Sequence, residues 1–306
     1  MSAFKRIRRR IRYTLVYGLV KFLIFFSTVI SRRAWLSFCG ALGLIAYYLA
    51  PQTRRLTLRN LSDVFTEKSP AQIKRLAKDT FKMLAKNAGE ILHSSTVKSV
   101  TEMDKIVVTH GLKNLAAAQQ KGKGVIFLGS HLGAFDLQVT SMAMRGLEPH
   151  VIGTPLKDKR LNELLWGHRN SHGAVAIQRG KETFKMLKVL KSGGSVALLI
   201  DQDTKVKSRF VDFFGRPAAT PVGATILAIK TGAAVVPTYI HLGRDGRQYM
   251  QMLPEIELKI TGDDEVDMVY NTQVFTKYIE AFIRKHPEQW VWMHERWKTK
   301  KGEEIL

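Results

Sequence analysis

Two long apolar runs open the chain. Tyr13–Ser31 and Ala34–Ala50 are separated only by Arg32 and Arg33, and the second stops at Pro51. At 1.5 Å rise per residue the first run makes a helix about 28 Å long, close to the roughly 30 Å hydrocarbon core of a bilayer. Lys21 lies within it and must extend its ammonium to the interface. From Thr53 to Ser94 the spacing is helical: Ser69-Pro70 supplies a cap and a first-turn proline, and Ile73, Leu76, Ala77, Phe81, Leu84 and Ala88 recur every three or four residues. Beyond residue 100 short apolar runs read as strands: Val125–Gly129, His150–Thr154, Ala174–Ile177, Val196–Ile200 and Val235–Ile240. Helical patterns fill 112–120, 133–145, 158–170, 180–191 and 221–230, and closing helices are predicted near 266–285 and 288–297. This alternation predicts an α/β fold, a central mostly parallel or mixed sheet flanked by helices, behind an N-terminal apolar membrane-anchoring helix. No low-complexity linker or internal repeat divides the body, so the reading is an anchor over 1–50 and one domain over 51–306.

Charge sharpens the N-terminal picture. Of 306 residues, 48 are Lys or Arg and 26 Asp or Glu, a formal net charge of +22, and the 45% hydrophobic fraction excludes a disordered chain. The first 60 residues hold 12 of the basic residues and no acidic one. Lys5, Arg6, Arg8, Arg9, Arg10 and Arg12 precede the first run and favour a cytoplasmic N-terminus. If both runs insert as a hairpin, or both lie in the interface, the rest of the chain is cytoplasmic; a single spanning helix would export it. No A-x-A-like site follows the run, so a cleaved signal is not expected. The charges flank apolar runs instead of interleaving with stacking aromatics, which favours anionic lipid over nucleic acid. A lone cysteine, Cys39, excludes an internal disulfide and a cysteine-based metal cluster.

The chemistry-bearing stretch is Val125–Gly129 followed by Ser130, His131 and, five residues on, Asp136. On one continuous helix residues five apart differ by about 140°, so His131 must sit in the turn before the helix to meet Asp136. In that pose the carboxylate holds one imidazole nitrogen and leaves the other as a general base. A helix-capping histidine beside an unrelated aspartate gives the same spacing, so the strand-to-helix setting carries the argument. G-x-S-x-G, P-loop and a second cysteine are all missing, and His168 and His172 have Arg169 where a metalloprotease motif needs Glu. The expectation is therefore no metal and no cofactor, with direct attack by a substrate group. Backbone N–H groups near Gly133 are candidate oxyanion donors.

Several ordered blocks together resemble the bacterial lipid A biosynthesis acyltransferases, the lauroyl and myristoyl transferases of the glycerolipid acyltransferase group. They are the basic apolar N-terminus, Gly129-Ser-His131-x-x-x-x-Asp136, Leu164–Arg169, Gly194–Asp203, Phe213-Phe-Gly215-x-Pro217-Ala-x-Thr220, Val236-Pro237 and Pro287–Lys298. The resemblance covers nearly the whole chain and is weakest over 145–180. It implies that His131 deprotonates a substrate hydroxyl attacking an acyl thioester, with Asp136 orienting the ring. It also implies acyl carrier protein as donor, a lipid A precursor hydroxyl as acceptor, and work at the cytoplasmic face of the bacterial inner membrane.

Arg169 matches a family arginine that would hold phosphate or charge near the reaction centre. Asp201 and Gln202 end an apolar strand, either at the site or as a turn cap, and Arg179 follows another strand as a weaker binding candidate. Phe213–Pro217 reads as a pocket wall or as packing, with Thr220 capping the next helix. Trp290, Trp292 and Trp297 read as a membrane-interface stripe or as core. The alternatives are an acyl-CoA-dependent transferase acting on another glycolipid or phospholipid and a non-enzymatic basic membrane adaptor.

Overall fold

The computed structural model describes residues 3–180 and 184–305, without the side chains of residues 3–6 and His168. Part of the helix predicted over 180–191, and the His168 ring, lie outside the described residues. Four helices lead: α1 (Ala3–Val29), α2 (Arg32–Leu49), α3 (Pro51–Val64) and α4 (Pro70–His93). Ser31 caps α2 through its side chain, Pro51 occupies the first turn of α3, and Ser69 with Gln72 forms a capping box for α4. Helices α2 and α3 meet at 95°.

Along α1 the residues Ile7–Val29 are long and apolar enough to cross a membrane. Ile7, Ile11, Leu15, Leu19, Phe22 and Phe25 are each more than half exposed. At 100° per residue they fall in one sector of about 120°, an apolar stripe facing away from the body. On the inner side, Phe26 meets Trp35 of α2, whose indole donates to Gly89 O of α4 at 2.8 Å. The α2–α4 seam is tight because a Cβ on Gly43 would stand 2.4 Å from Phe81 O. An ion pair between partly exposed Arg32 and buried Glu90 closes its far end.

The body alternates helix and strand: α5 (Val100–Ile106), β1 (Val107–His110), α6 (Leu112–Gln120), β2 (Val125–Gly129), α7 (Phe135–Met144), β3 (His150–Gly153), α8 (Lys159–Asn170), β4 (Val175–Gln178), α9 (Phe184–Lys191) and β5 (Ser195–Leu199). The hairpin β6 (Ser208–Phe213) and β7 (Arg216–Pro221) follows, then α10 (Gly223–Thr231), β8 (Ala234–Leu242), β9 (Gln248–Met252) and α11 (Asp264–Lys285). Seven strands form one sheet in the order β1-β9-β8-β2-β5-β3-β4, parallel except for the β8–β9 pair. Its fully buried central strand β2 is the unbroken apolar run that a parallel sheet requires. Phe127, Val125 and Val236 pack on one face with Leu137 of α7, and Ile126, Leu128 and Val196 pack on the other with α9 to α11.

All five predicted strands belong to this sheet. At the C-terminus one expectation fails and one open alternative is decided. No helix forms over 288–297: after a 3-10 turn at Pro287–Gln289, Trp290 is extended and the chain then passes through irregular turns, with Trp292 O and His294 O accepting from Asn60 Nδ2 at 2.8 and 3.0 Å. Trp290 and Trp292 are completely buried, 4.6 Å apart, with Phe213 against Trp290, so they are core and not a membrane-interface stripe. Thr220 does not cap α10; its hydroxyl donates to Ala218 O and accepts from buried Arg296.

Candidate active site

The parallel strands β2, β5 and β3 end at a crevice, the place where an open α/β sheet presents residues to a ligand. Chain order reverses here, since β2 and β3 flank β5. Gly129 at the end of β2 is paired with Leu199 at the end of β5. His131 and Asp201 each lie two residues beyond that pair, and they meet. His131 N–H donates to Asp201 Oδ2 at 2.8 Å, and His131 Nδ1 lies 2.8 Å from Asp201 Oδ1. The turn that allows this needs Gly133, which has φ +65° and would place a Cβ 2.0 Å from Ile240 O.

Asp201 is buried and accepts a third hydrogen bond, from Trp290 Nε1 at 2.7 Å. Burial alone would push its carboxyl up, but the His131 ring and the bonds from His131 and Trp290 hold it below the ordinary carboxylate range. An ionised carboxylate only accepts, so Nδ1 carries the hydrogen and Nε2 keeps its lone pair. His131 stands on the cavity wall, and no described residue bonds Nε2.

The expected partner, Asp136, is engaged elsewhere. It sits in the first turn of α7, where the helix dipole favours a carboxylate, and accepts from Arg169 Nε at 2.9 Å and Nη2 at 2.8 Å. The pair is largely buried and braces α7 against α8. The imidazole is thus oriented by Asp201, which the β2–β5 register places beside it, while Arg169 takes up the Asp136 carboxylate. The Gly133 amide is likewise not free to bind an oxyanion, since it donates to Gln289 O at 3.0 Å.

A cavity of about 660 Å³ opens at this point. His131, Asp136, Arg169, Arg179 and Gln202 all line it, and Asp201 lies behind His131. Arg179 makes no ion pair among the described residues, and partial burial lowers the pKa of its guanidinium. Phe213 and Phe214 pack in the core, outside the cavity lining. His172 Nε2 is 3.3 Å from Val97 O.

Sequence reasoning did not connect the C-terminal segment to the site. Besides Trp290, His294 Nε2 accepts from Asp203 N–H at 3.1 Å, and Thr299 donates to both oxygens of Asp203 at 2.9 and 2.8 Å. These bonds clamp the loop that carries Asp201 and Gln202. The available signal was the unbroken apolar run Trp290–Met293 closely following α11, in which both tryptophans become wholly buried. Trp290→Phe keeps the packing and removes only the donor to Asp201, so kcat is expected to fall about tenfold with KM unchanged, as measured by steady-state acyl transfer.

A family model described as bacterial lipid A biosynthesis acyltransferase matches residues 1–299. The chain belongs to that family. Lipid A biosynthesis acyltransferase 1 of Shigella flexneri is 28% identical over 271 residues, covering 86% of this chain and 81% of the relative. The lipid A biosynthesis myristoyltransferase of Escherichia coli K12 is 27% identical over 270 residues, covering 86% and 81%. Phosphatidylinositol mannoside acyltransferase of Mycobacterium tuberculosis H37Rv is 27% identical over 205 residues, covering 65% and 62%. The lipid A acyltransferase reading from the sequence therefore holds at family level, and the crevice at the ends of β2, β5 and β3 is the candidate centre of an acyltransferase.

Proposed function

We propose that this acyltransferase moves a fatty acyl chain from the thioester of acyl carrier protein to a hydroxyl on a 3-hydroxyacyl chain of a lipid A precursor. The observation that carries the reading is the His131–Asp201 pair, whose imidazole lines a largely apolar cavity. His131 Nε2 takes the proton of the acceptor hydroxyl as its oxygen attacks the thioester carbonyl, and Asp201 stabilises the imidazolium that forms. The tetrahedral intermediate collapses with cleavage of the C–S bond, and the departing thiolate takes the proton back from Nε2. One ester is formed, one thioester is consumed, and no acyl-enzyme arises.

The Asp136–Arg169 pair fixes the walls of the crevice. Arg179 and Lys207 line the cavity and make no ion pair among the described residues, which suits a phosphate of the acceptor headgroup or of the donor's carrier arm. A net charge of +22 favours encounter with a strongly acidic carrier protein and with an anionic leaflet. The apolar stripe of α1 and the basic residues before it support an anchor over 1–50 that holds the domain over 51–306 at the cytoplasmic face of the inner membrane. The mycobacterial relative keeps a second acceptor class in view, another glycolipid acylated by the same chemistry.

The test uses purified full-length protein with labelled acyl carrier protein thioesters and acyl-CoA as donors. The acceptors are a Kdo-bearing tetraacyl lipid A precursor and a phosphatidylinositol mannoside. Transfer from the carrier protein to the lipid A precursor is expected at least about tenfold faster than any other combination. Preference for acyl-CoA and the mannoside would move the assignment to that acceptor class.

A further inference from the structure

The cavity reaches both faces of the sheet. Phe127, Met142 and Ala197 on its wall belong to the cores on the α7 face, whereas Leu198, Met186 and Leu227 belong to the core under α9 to α11. A continuous hydrogen-bonded sheet keeps such cores apart, so the cavity must pass through a gap in the sheet. The register supplies one. Strand β5 is paired with β2 over five positions, from Val125↔Ser195 to Gly129↔Leu199, and β3 with β4 over four. Strands β3 and β5 are paired only at His150↔Val196 and Val151↔Ala197. Beyond Ala197 each strand follows its other neighbour, and the two diverge toward the ends that carry the site.

We propose that the cavity has two arms, one on each side of this gap, and that each holds a different hydrocarbon chain. The arm under α7 takes the acceptor's hydroxyacyl chain and the arm under α10 takes the donor's acyl chain, their heads meeting at His131. This rests on the proposed reaction, in which a hydroxyl borne on one long chain attacks the carbonyl that ends another. A single unbranched tunnel would set the two chains in competition for one space.

The assignment of arms follows from what borders them. Leu165 and Arg169 of α8 line the cavity with the α7-side residues, and the first turn of α8 touches the apolar helix α1 through Arg160. The Arg160 guanidinium lies 4.9 Å from the centre of the Tyr17 ring and donates to Thr14 Oγ1 at 3.2 Å. A lipid drawn from the bilayer beside α1 therefore reaches the α7-side arm first. The other arm is bordered by Thr204 and exposed Lys207 on the loop before β6, a polar and cationic entrance suited to the phosphate-bearing arm of a water-soluble carrier.

Two half-buried wall residues allow each arm to be narrowed separately, Ala197 on the α7 side and Ile226 of α10 on the other. Ala197→Leu is expected to raise the acceptor KM about tenfold without changing the order of preference among donor chain lengths. Ile226→Trp is expected to lower kcat/KM for the longest accepted donor about tenfold relative to shorter ones, with acceptor KM within about twofold of wild type. Val151→Leu and Ile226→Phe serve as second variants if thermal melts show that either of the first pair does not fold. The proposal is overturned if both arms' variants alter the same substrate's parameters, if the effects are exchanged, or if folded variants change neither. A wild-type protein that transfers no chain to any glycolipid would instead overturn the proposed reaction.

Discussion

His131→Ala is expected to lower acyl transfer by about 10²–10⁴-fold, the range that a positioned general base supplies, with little change in the melting temperature. The side chain lines the cavity and is partly exposed, so its removal leaves little packing unfilled. Asp201 would then keep the His131 backbone N–H and the Trp290 indole as donors. Rates with saturating donor and acceptor, on protein matched by circular dichroism, check this. An alanine variant within a few-fold of wild type would remove His131 from the chemistry.

Asp201→Asn is the second large effect, and it separates the observed geometry from the expectation built on spacing. The amide matches the carboxylate in shape and still accepts from Trp290 and from the His131 backbone, but it neither stabilises an imidazolium nor fixes the hydrogen on Nδ1. Transfer is expected to fall by about 10²–10⁴-fold, comparable to loss of the imidazole itself. Asp136→Asn should behave differently. It weakens a largely buried ion pair with Arg169, so its main cost is stability, by about 3–5 kcal/mol if the guanidinium is left uncompensated, with the His131–Asp201 bond intact. Chemical denaturation alongside the transfer assay distinguishes the two aspartates.

The sheet was legible in the sequence to the extent that its strands were apolar. The run Val125–Gly129, read as a buried strand, is β2 residue for residue. The strands β1 (Val-Val-Thr-His) and β9 (Gln-Tyr-Met-Gln-Met) escaped because polar residues dilute them and their place in the sheet is decided by pairing with each other and β8. The β6–β7 hairpin was hidden in the same way: its turn uses Phe214 at φ 58° before Gly215, held by Phe214 N–H donating to Glu280 Oε1.

The candidate site was legible as a set of residues and not as a set of partnerships. His131, Asp136, Arg169, Arg179, Asp201 and Gln202 do converge on one crevice, since each follows a strand of the sheet or lies on a helix beside it. Which aspartate holds the imidazole depends on how β2 and β5 are registered, and a five-residue spacing contains nothing about that. The fully buried Trp290, remote in sequence, reaches Asp201 because the chain after α11 returns past the end of β2, where Trp290 forms an isolated bridge with Leu132.

Asp201 is expected to act on the reaction through His131. A double-mutant cycle measures this directly, from kcat/KM for acyl transfer by wild type, His131→Ala, Asp201→Asn and the double variant. The double variant is expected to be no slower than His131→Ala alone, because a carboxylate that only orients and charges the imidazole has nothing to do once the ring is gone. Losses that multiply, so that the double variant falls by the product of the two single effects, would show that the two residues act independently and would contradict it.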